Sequence, residues 1–270
     1  MLRILSLGAG VQSTTVALLA AEGAIPPLDA AIFADTGAEP QGVYAHLERL
    51  IPALPFPVHR ITAGNLFIEI MKAATGVSQR GSHARPPFYV KSGAGEKGMI
   101  RRQCTGDFKI DPIEKHIRGM LGLQPRQRWP RDVRVQQLFG ISIDEASRMR
   151  SSRVPTITNE YPLIDLGWTR SKCRDWLAAR GWFPAKSACT FCPYHNDASW
   201  RELRDTDAAG WEQALEVDRA IRTGLQRSTL VGELFLHGSL IPLEQVDLST
   251  AAERGQPNLF ENECEGHCGV

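Results

Sequence analysis

The stretch from Leu2 to Ala21 narrows the possible fold more than any other part of this chain. Leu2-Arg3-Ile4-Leu5 is a short apolar run that reads as a buried strand. Ser6 to Thr14 is a loop of small residues. Val16, Leu18, Leu19 and Ala20 then recur at helical spacing. A strand, a small-residue turn and a helix together present backbone N–H groups and a helix N-terminus to an anion. Gly8 and Gly10 let the backbone approach a ligand, and Ser13 or Thr14 adds a hydroxyl. The plain alternative is an ordinary tight βα turn. The loop has no lysine, so it is not a Walker loop, and Gln12-Ser13 breaks the GxGxxG pattern of dinucleotide loops.

The pattern repeats downstream. Leu28 to Phe33 is a second strand, ending in Ala34-Asp35-Thr36-Gly37, which puts the Asp35 carboxylate at a sheet edge. Gln41 to Ile51 reads as a helix, Phe56 to Ile61 as a strand and Gly64 to Ala74 as a helix. This alternation predicts an α/β fold with a doubly wound parallel sheet. Residues 75–99 are rich in Gly, Ser and Pro and predict a mobile substrate loop. Helix Ile113 to Leu121 and strand Val133 to Phe139 follow, then a sheet edge at Gly140 opening into a helix. Thr169 to Arg180 is a helix with Cys173 on its apolar face, closed by Gly181. The expected division is a nucleotide-binding domain over 1–195 and a mostly helical C-terminal region over 196–270 with a cysteine-bearing tail.

Charge and cysteines sharpen the picture. The net charge is +1, but residues 80–134 hold thirteen Lys or Arg against five acids. That stretch is therefore +8 and the remainder −7, which fits a phosphate or nucleic-acid site. The alternative is a solvated surface. No apolar run nears the roughly 20 residues of a membrane span, and the chain opens on a strand rather than a signal peptide. The expectation is a cytoplasmic enzyme with no membrane partner. Six cysteines lie at 104, 173, 189, 192, 264 and 268, and their clustering points to metal or redox chemistry.

Five segments in order resemble one family. GAGVQS at 8–13 resembles the PP-loop of ATP pyrophosphatases and sulfonucleotide reductases, with Gln12 where many members carry a magnesium-holding Asp. Asp35-Thr36-Gly37 resembles the family's DTG. Cys104 to Pro112, with Lys109, resembles its cysteine segment before R-K-x-x-P. Gly140 to Arg148 resembles GxRxxES-R, with Ser142 in place of the arginine. Cys189-x-x-Cys192 resembles the second half of a cluster motif. The chain is thereby similar to the phosphoadenosine-phosphosulfate (PAPS) reductase-like branch of the PP-loop superfamily, which includes a DNA phosphorothioation component, and more distantly to tRNA thiolases.

The resemblance implies an adenine nucleotide, ATP or a sulfonucleotide, held by Ser6, Gly8, Gly10, Gln12, Ser13, Thr36, Gly37, Gly140 and Arg148. Asp35 would hold Mg2+, Lys109 would act in catalysis, and Arg101 and Arg102 would neutralise substrate phosphate. Cys104, Cys189 and Cys192 would ligate a 4Fe–4S cluster with one iron open to carry sulfide, and Cys264 or Cys268 would be either a fourth ligand or a mobile sulfur-handling thiol. Zinc on Cys189, Cys192 and His195 or a tail residue is the alternative, and unmetallated thiols the simplest case. Two reactions stay open. One is ATP-dependent sulfur transfer to tRNA or DNA, fed by a sulfur donor such as a cysteine desulfurase. The other is sulfonucleotide reduction, with Cys264 or Cys268 as nucleophile and a thioredoxin-like reductant. A third possibility is a non-catalytic nucleotide-binding partner of a modification complex.

Overall fold

The computed structural model describes residues 1–77, 86–124, 126–130, 132–225, 232–250 and 253. Cys264, Cys268 and Arg131 lie outside the described residues, as does 78–85 of the expected mobile loop.

Five strands form one parallel sheet. They are β1 (Leu2–Ser6), β2 (Ala30–Asp35), β3 (Val58–Thr62), β6 (Val135–Phe139) and β7 (Ile157–Glu160), in the order β3-β2-β1-β6-β7. Two short strands, β4 (Tyr89–Lys91) and β5 (Lys97–Met99), intervene in sequence and join β8 (Glu233–Phe235) in a separate antiparallel sheet.

Alternation along the central strands assigns the two faces. Leu5, Ala31, Phe33 and Leu138 point to one apolar layer. That layer is built from α1 (Val11–Ala21), α2 (Gln41–Leu50), α5 (Pro162–Asp165) and α6 (Arg170–Ala178). Ile4, Ala30, Ile32, Ala34 and Val135 point to the other, against Ile113 and Ile117 of α4 (Asp111–Met120). Cys173 is fully buried in the first layer, as its helical position predicts, and burial pushes its thiol up to about 11. A third cluster joins α3 (Leu66–Thr75), α7 (Asp197–Thr206), α8 (Ala208–Ile221) and the small sheet, with Trp200 and Phe191 fully buried in it. The fold is thus the expected α/β doubly wound parallel sheet, with a largely helical C-terminal part.

Several boundaries differ from the sequence reading. The second strand runs through Asp35 because its ladder with β3 continues to Thr62. The third starts at Val58 because Pro57 has no N–H to give the ladder; the buried Phe56 packs from the turn before it. Helix α3 starts after Asn65, whose side chain accepts the Ile68 N–H, and stops at Gly76, with φ +78. Helix α4 is entered through a wide π-type turn at Gly106–Ile110, which carries Lys109. After Gly140 the chain forms only a short 3-10 turn, Ile143–Arg148. Strands β4 and β5 occupy part of the stretch expected to be irregular.

Candidate nucleotide pocket and adjoining thiol pocket

The strand order creates the site. From β1 the chain moves outward to β2 and β3, then crosses to β6 and β7 on the other side of β1. The crevice beyond the carboxyl ends of β1 and β6 is where the winding reverses, and ligands of open α/β sheets bind at such points. A pocket of about 360 Å³ lies there.

The Gly8–Ser13 loop forms one wall. Ala9 takes a left-handed φ of +56 while fully buried, which turns the chain sharply into α1. Gly10 stands at the N-cap with no side-chain cap, leaving the first-turn N–H groups to the pocket. Ser13 Oγ accepts the Gly8 N–H at 3.2 Å and donates to the Gly10 carbonyl at 3.3 Å. Ser187 donates its hydroxyl to the Gly8 carbonyl and packs beneath Gly10, where an added Cβ would sit 3.1 Å from Ser187 Cβ. Opposite, Gly140 comes so close that a Cβ there would lie 2.7 Å from the Gln12 carbonyl carbon.

The walls are cationic. Lys109, Arg148, Arg150, Arg153, Arg170 and Lys186 line the pocket, against Glu114 and Glu145 alone among acids. Four positive charges in excess suit an anion of several charges. Both carboxylates are already engaged, Glu114 by Arg153 at 2.8 Å and Glu145 by Arg148 at 2.5 Å. Burial raises the Glu145 carboxyl, and the Arg148 charge opposes that. Gln12 reaches Ser142 at 3.4 Å and also bonds to Glu145, so its amide ties the loop to the turn after β6. Ala34, Ile110 and Ile113 give an apolar stretch on the α4 side, suited to a flat base.

A second, smaller pocket adjoins the first. Cys104, Cys189, Cys192, Thr36, Arg102 and Tyr194 line it, and Thr105 and Lys109 line both. Thr36 Oγ1 lies 3.4 Å from Cys189 Sγ and donates to Glu39 Oε1 at 3.3 Å. Lys109 Nζ is 3.2 Å from the same oxygen. Glu39 is almost wholly buried, and its Oε2 has no partner. Burial, and then the Glu39 charge, push the Cys189 thiol well above its usual range. His195 gives Nε2 to the Cys189 carbonyl at 2.9 Å, which pins the Cys-x-x-Cys loop, and burial lowers its pKa to about 4. The donor chemistry suits a soft metal or a cluster. Even so, no group of three His, Cys, Asp or Glu side chains that could hold a metal ion occurs among the described residues.

The expected site residues therefore divide. Ser6, Gly8, Gly10, Gln12, Ser13, Gly140, Arg148 and Lys109 meet in the larger pocket. Thr36, Arg102, Cys104, Cys189 and Cys192 meet in the thiol pocket. Asp35, Gly37 and Arg101 line neither. Asp35 accepts from Gly37 N–H, the Tyr44 hydroxyl and Arg60, so it builds the end of β2. Gly37, with φ +68, accepts from the Asn65 side chain and joins β2 to α3. Among the described basic residues of the 80–134 block, only Lys109 reaches the larger pocket. Arg118, for example, stacks on Trp129 and bonds to the carbonyls of Gln124 and Gln127. Lys186, Ser187, Arg150, Arg153, Arg170 and Glu39 carried no motif that singled them out.

No family model matches the chain, and neither does any curated protein. Solved structures do. The chain is similar to phosphoadenylyl-sulfate (PAPS) reductase from Candida auris, solved as a phosphate complex. Identity is 10% over 67% of this chain and 74% of that one, with a TM-score of 0.42. It is also similar to U34-tRNA thiolase NcsA from Methanococcus maripaludis, solved with its 4Fe–4S cluster. There identity is 11% over 90% of this chain and 78% of that one, with a TM-score of 0.38. Among the described residues no helix is long and apolar enough to cross a membrane.

One group behind the loop gives a pH test of this architecture. His46 is buried on α2, its Nε2 lies 2.9 Å from the Thr14 hydroxyl, and burial followed by the Arg49 charge lowers its pKa from 6.5 to about 4. Between those values the unfolded chain binds a proton that the native chain does not. Stability should therefore fall as pH drops from 6.5 to about 4, and His46→Gln should flatten that part of the profile. Melting temperature measured against pH checks this, and an unchanged slope in the variant rules it out.

Proposed function

We propose that this chain is an adenine-nucleotide-dependent enzyme of sulfur transfer, with a nucleic acid as the acceptor. The observation that carries the reading is the meeting of the two pockets at Thr105 and Lys109, which sets three cysteines beside a cationic anion pocket. The phosphates of ATP would lie against the Gly8–Ser13 loop and the α1 N-terminus. Arg148 and Lys186 would neutralise them, and the base would take the apolar slot at Ala34, Ile110 and Ile113. A carbonyl oxygen of the acceptor attacks the α-phosphorus and pyrophosphate leaves. The loop N–H groups and the cations stabilise the charge that develops on it. Sulfide then adds at the adenylated carbon and AMP departs with the former carbonyl oxygen, so the exchange of C=O for C=S needs no net oxidant. Lys109 lines both pockets and would orient the adenylate toward the thiol side. The thiol pocket is the proposed seat of a 4Fe–4S cluster, with zinc the alternative. Cys104, Cys189 and Cys192 would hold it, and it would supply a place to deliver sulfur.

Sulfonucleotide reduction is the second reading. Its support is Gln12, which leaves the loop without a carboxylate for magnesium, while the cationic walls suit a sulfonucleotide directly. One experiment separates the two. Protein given ATP, sulfide and RNA or DNA should release AMP and pyrophosphate in step with sulfur incorporation. Sulfite release from a sulfonucleotide, with no AMP from ATP, would select reduction. No turnover of either, with nucleotide bound, would make the chain a binding partner.

A further inference from the structure

Helix α6 carries a row of side chains that the nucleotide pocket does not explain. Trp168, Lys172, Trp176 and Arg180 are spaced by four, so they stand in one line along and just beyond the helix. The structure bears this out. Lys172 Nζ lies 4.8 Å from the Trp168 ring centre, the Trp168 and Trp176 rings are 5.8 Å apart, and the Arg180 guanidinium sits 3.6 Å over Trp176. The indoles of the row are half-buried against the α1 layer, while Lys172 and Arg180 are exposed. Beyond the helix end, Arg49 stacks on Trp182 at 4.2 Å, and the Phe183 ring is 74% exposed.

Charge and continuity identify the occupant. Residues 168–186 contain five Lys or Arg and one acid, Asp175. Arg170, in the first turn of α6, lines the nucleotide pocket from another face of the helix, so the N-terminal end of α6, near which the row begins, stands at the pocket rim. Glu22 holds the Arg180 guanidinium through two hydrogen bonds, at 2.7 and 3.1 Å, which fixes its plane on the indole. A guanidinium fixed in this way offers its outer face to a nucleobase, and the neighbouring cations meet the backbone phosphates.

We infer that the α6 row is a docking strip for single-stranded nucleic acid, whose reactive end enters the nucleotide pocket past Arg170. This rests on the reading that the acceptor is a nucleic acid, and it names the surface that reads it. A duplex keeps its base faces stacked inside and gains only the phosphate contacts.

The test is fluorescence anisotropy of a labelled single-stranded oligonucleotide on the full chain across a salt series. Matched duplex and polyglutamate serve as competitors, and calorimetry with ATP runs in parallel. Lys172→Glu, and Lys172→Ala combined with Arg180→Ala, should weaken single-strand binding about tenfold or more and flatten the salt dependence. Trp176→Phe should retain binding, whereas Trp176→Ala should lose about tenfold. ATP affinity should be unchanged in all four. Lys172 is exposed, so Lys172→Glu tests the strip without endangering the fold. Single-strand binding that ignores all four variants overturns the inference. So does duplex or polyglutamate competing as well as the single strand, the latter marking a site for an acidic protein. If the oligonucleotide binds through this row but ATP does not bind at all, the strip stands and the nucleotide reading fails.

Discussion

Replacing Gly140 by alanine should lower nucleotide affinity about 100-fold, from steric overlap alone, equivalent to roughly 3 kcal/mol. Gly140 ends β6 directly against the first turn of α1, and a Cβ there would sit 2.7 Å from both the Gln12 carbonyl carbon and the Ser13 Cα. These are backbone atoms, and neither element can yield easily. β6 is hydrogen-bonded between β1 and β7, and Ala17 and Val16 behind the loop are fully buried. The part that gives is the loop itself, held by Ser13 and Ser187, so the N–H groups would turn away from the phosphates. The word of the structure on Gly8 is milder: a Cβ there would meet only Ser187 Oγ at 3.5 Å and Ser13 Oγ at 3.7 Å, so Gly8→Ala should be the gentler change. Calorimetric titration with ATP, beside a melting curve for each variant, measures the contrast. A folded Gly140→Ala protein with native affinity would remove the crevice from consideration as the nucleotide site.

The sheet and this crevice were legible in the sequence because their signals are local. Apolar runs such as Leu2–Leu5 and the small-residue loop after them reveal a βα unit without knowledge of any partner. Gly140 was legible for the same reason, as a small residue at the end of an apolar strand. Strand β7 was not, since only Ile157 of its four residues is buried and Thr158, Asn159 and Glu160 give no apolar alternation. Without β7, the preceding Arg150–Arg153 segment had no place in the fold. The small sheet was invisible for another reason. Its pairing of Tyr89 with Phe235 spans more than half the chain and leaves no short-range trace. A carboxylate at a strand end looks like a ligand in sequence; in the structure Asp35 accepts from Gly37, Tyr44 and Arg60 and lines neither pocket. The buried acid beside the thiols is Glu39, four residues later, and nothing in its local sequence separates it from a surface glutamate.

The cysteines give the other large effect. Protein prepared anaerobically with iron and sulfide should be brown and hold about four irons per chain. Serine at 104, 189 or 192 should each abolish the colour, because removing one thiolate from a three-cysteine set leaves too few ligands on the cluster. Cys173→Ser should keep its iron. Cys173 is fully buried among apolar side chains of the α1 layer, remote from the thiol pocket, and it can lower stability without touching the metal. The contrast therefore separates ligation from general damage to the fold. Cys264 and Cys268 test the fourth position: serine at either should leave the iron in place if the three pocket cysteines suffice, and reduce it if the tail closes the site. Metal binding must draw Cys104, Cys189 and Cys192 together, since as they stand they share a pocket without forming a group that could hold an ion. That movement is local. The backbone of the Cys-x-x-Cys loop is held by Thr190 N–H on the Ala38 carbonyl, and by His195 Nε2 and Cys192 N–H on the Cys189 carbonyl, so its thiols can turn while its backbone stays. Colourless protein with one zinc per chain would make the site structural, and colourless protein without metal would leave the thiols to act alone. Either result withdraws the cluster while leaving the nucleotide pocket to be judged by Gly140.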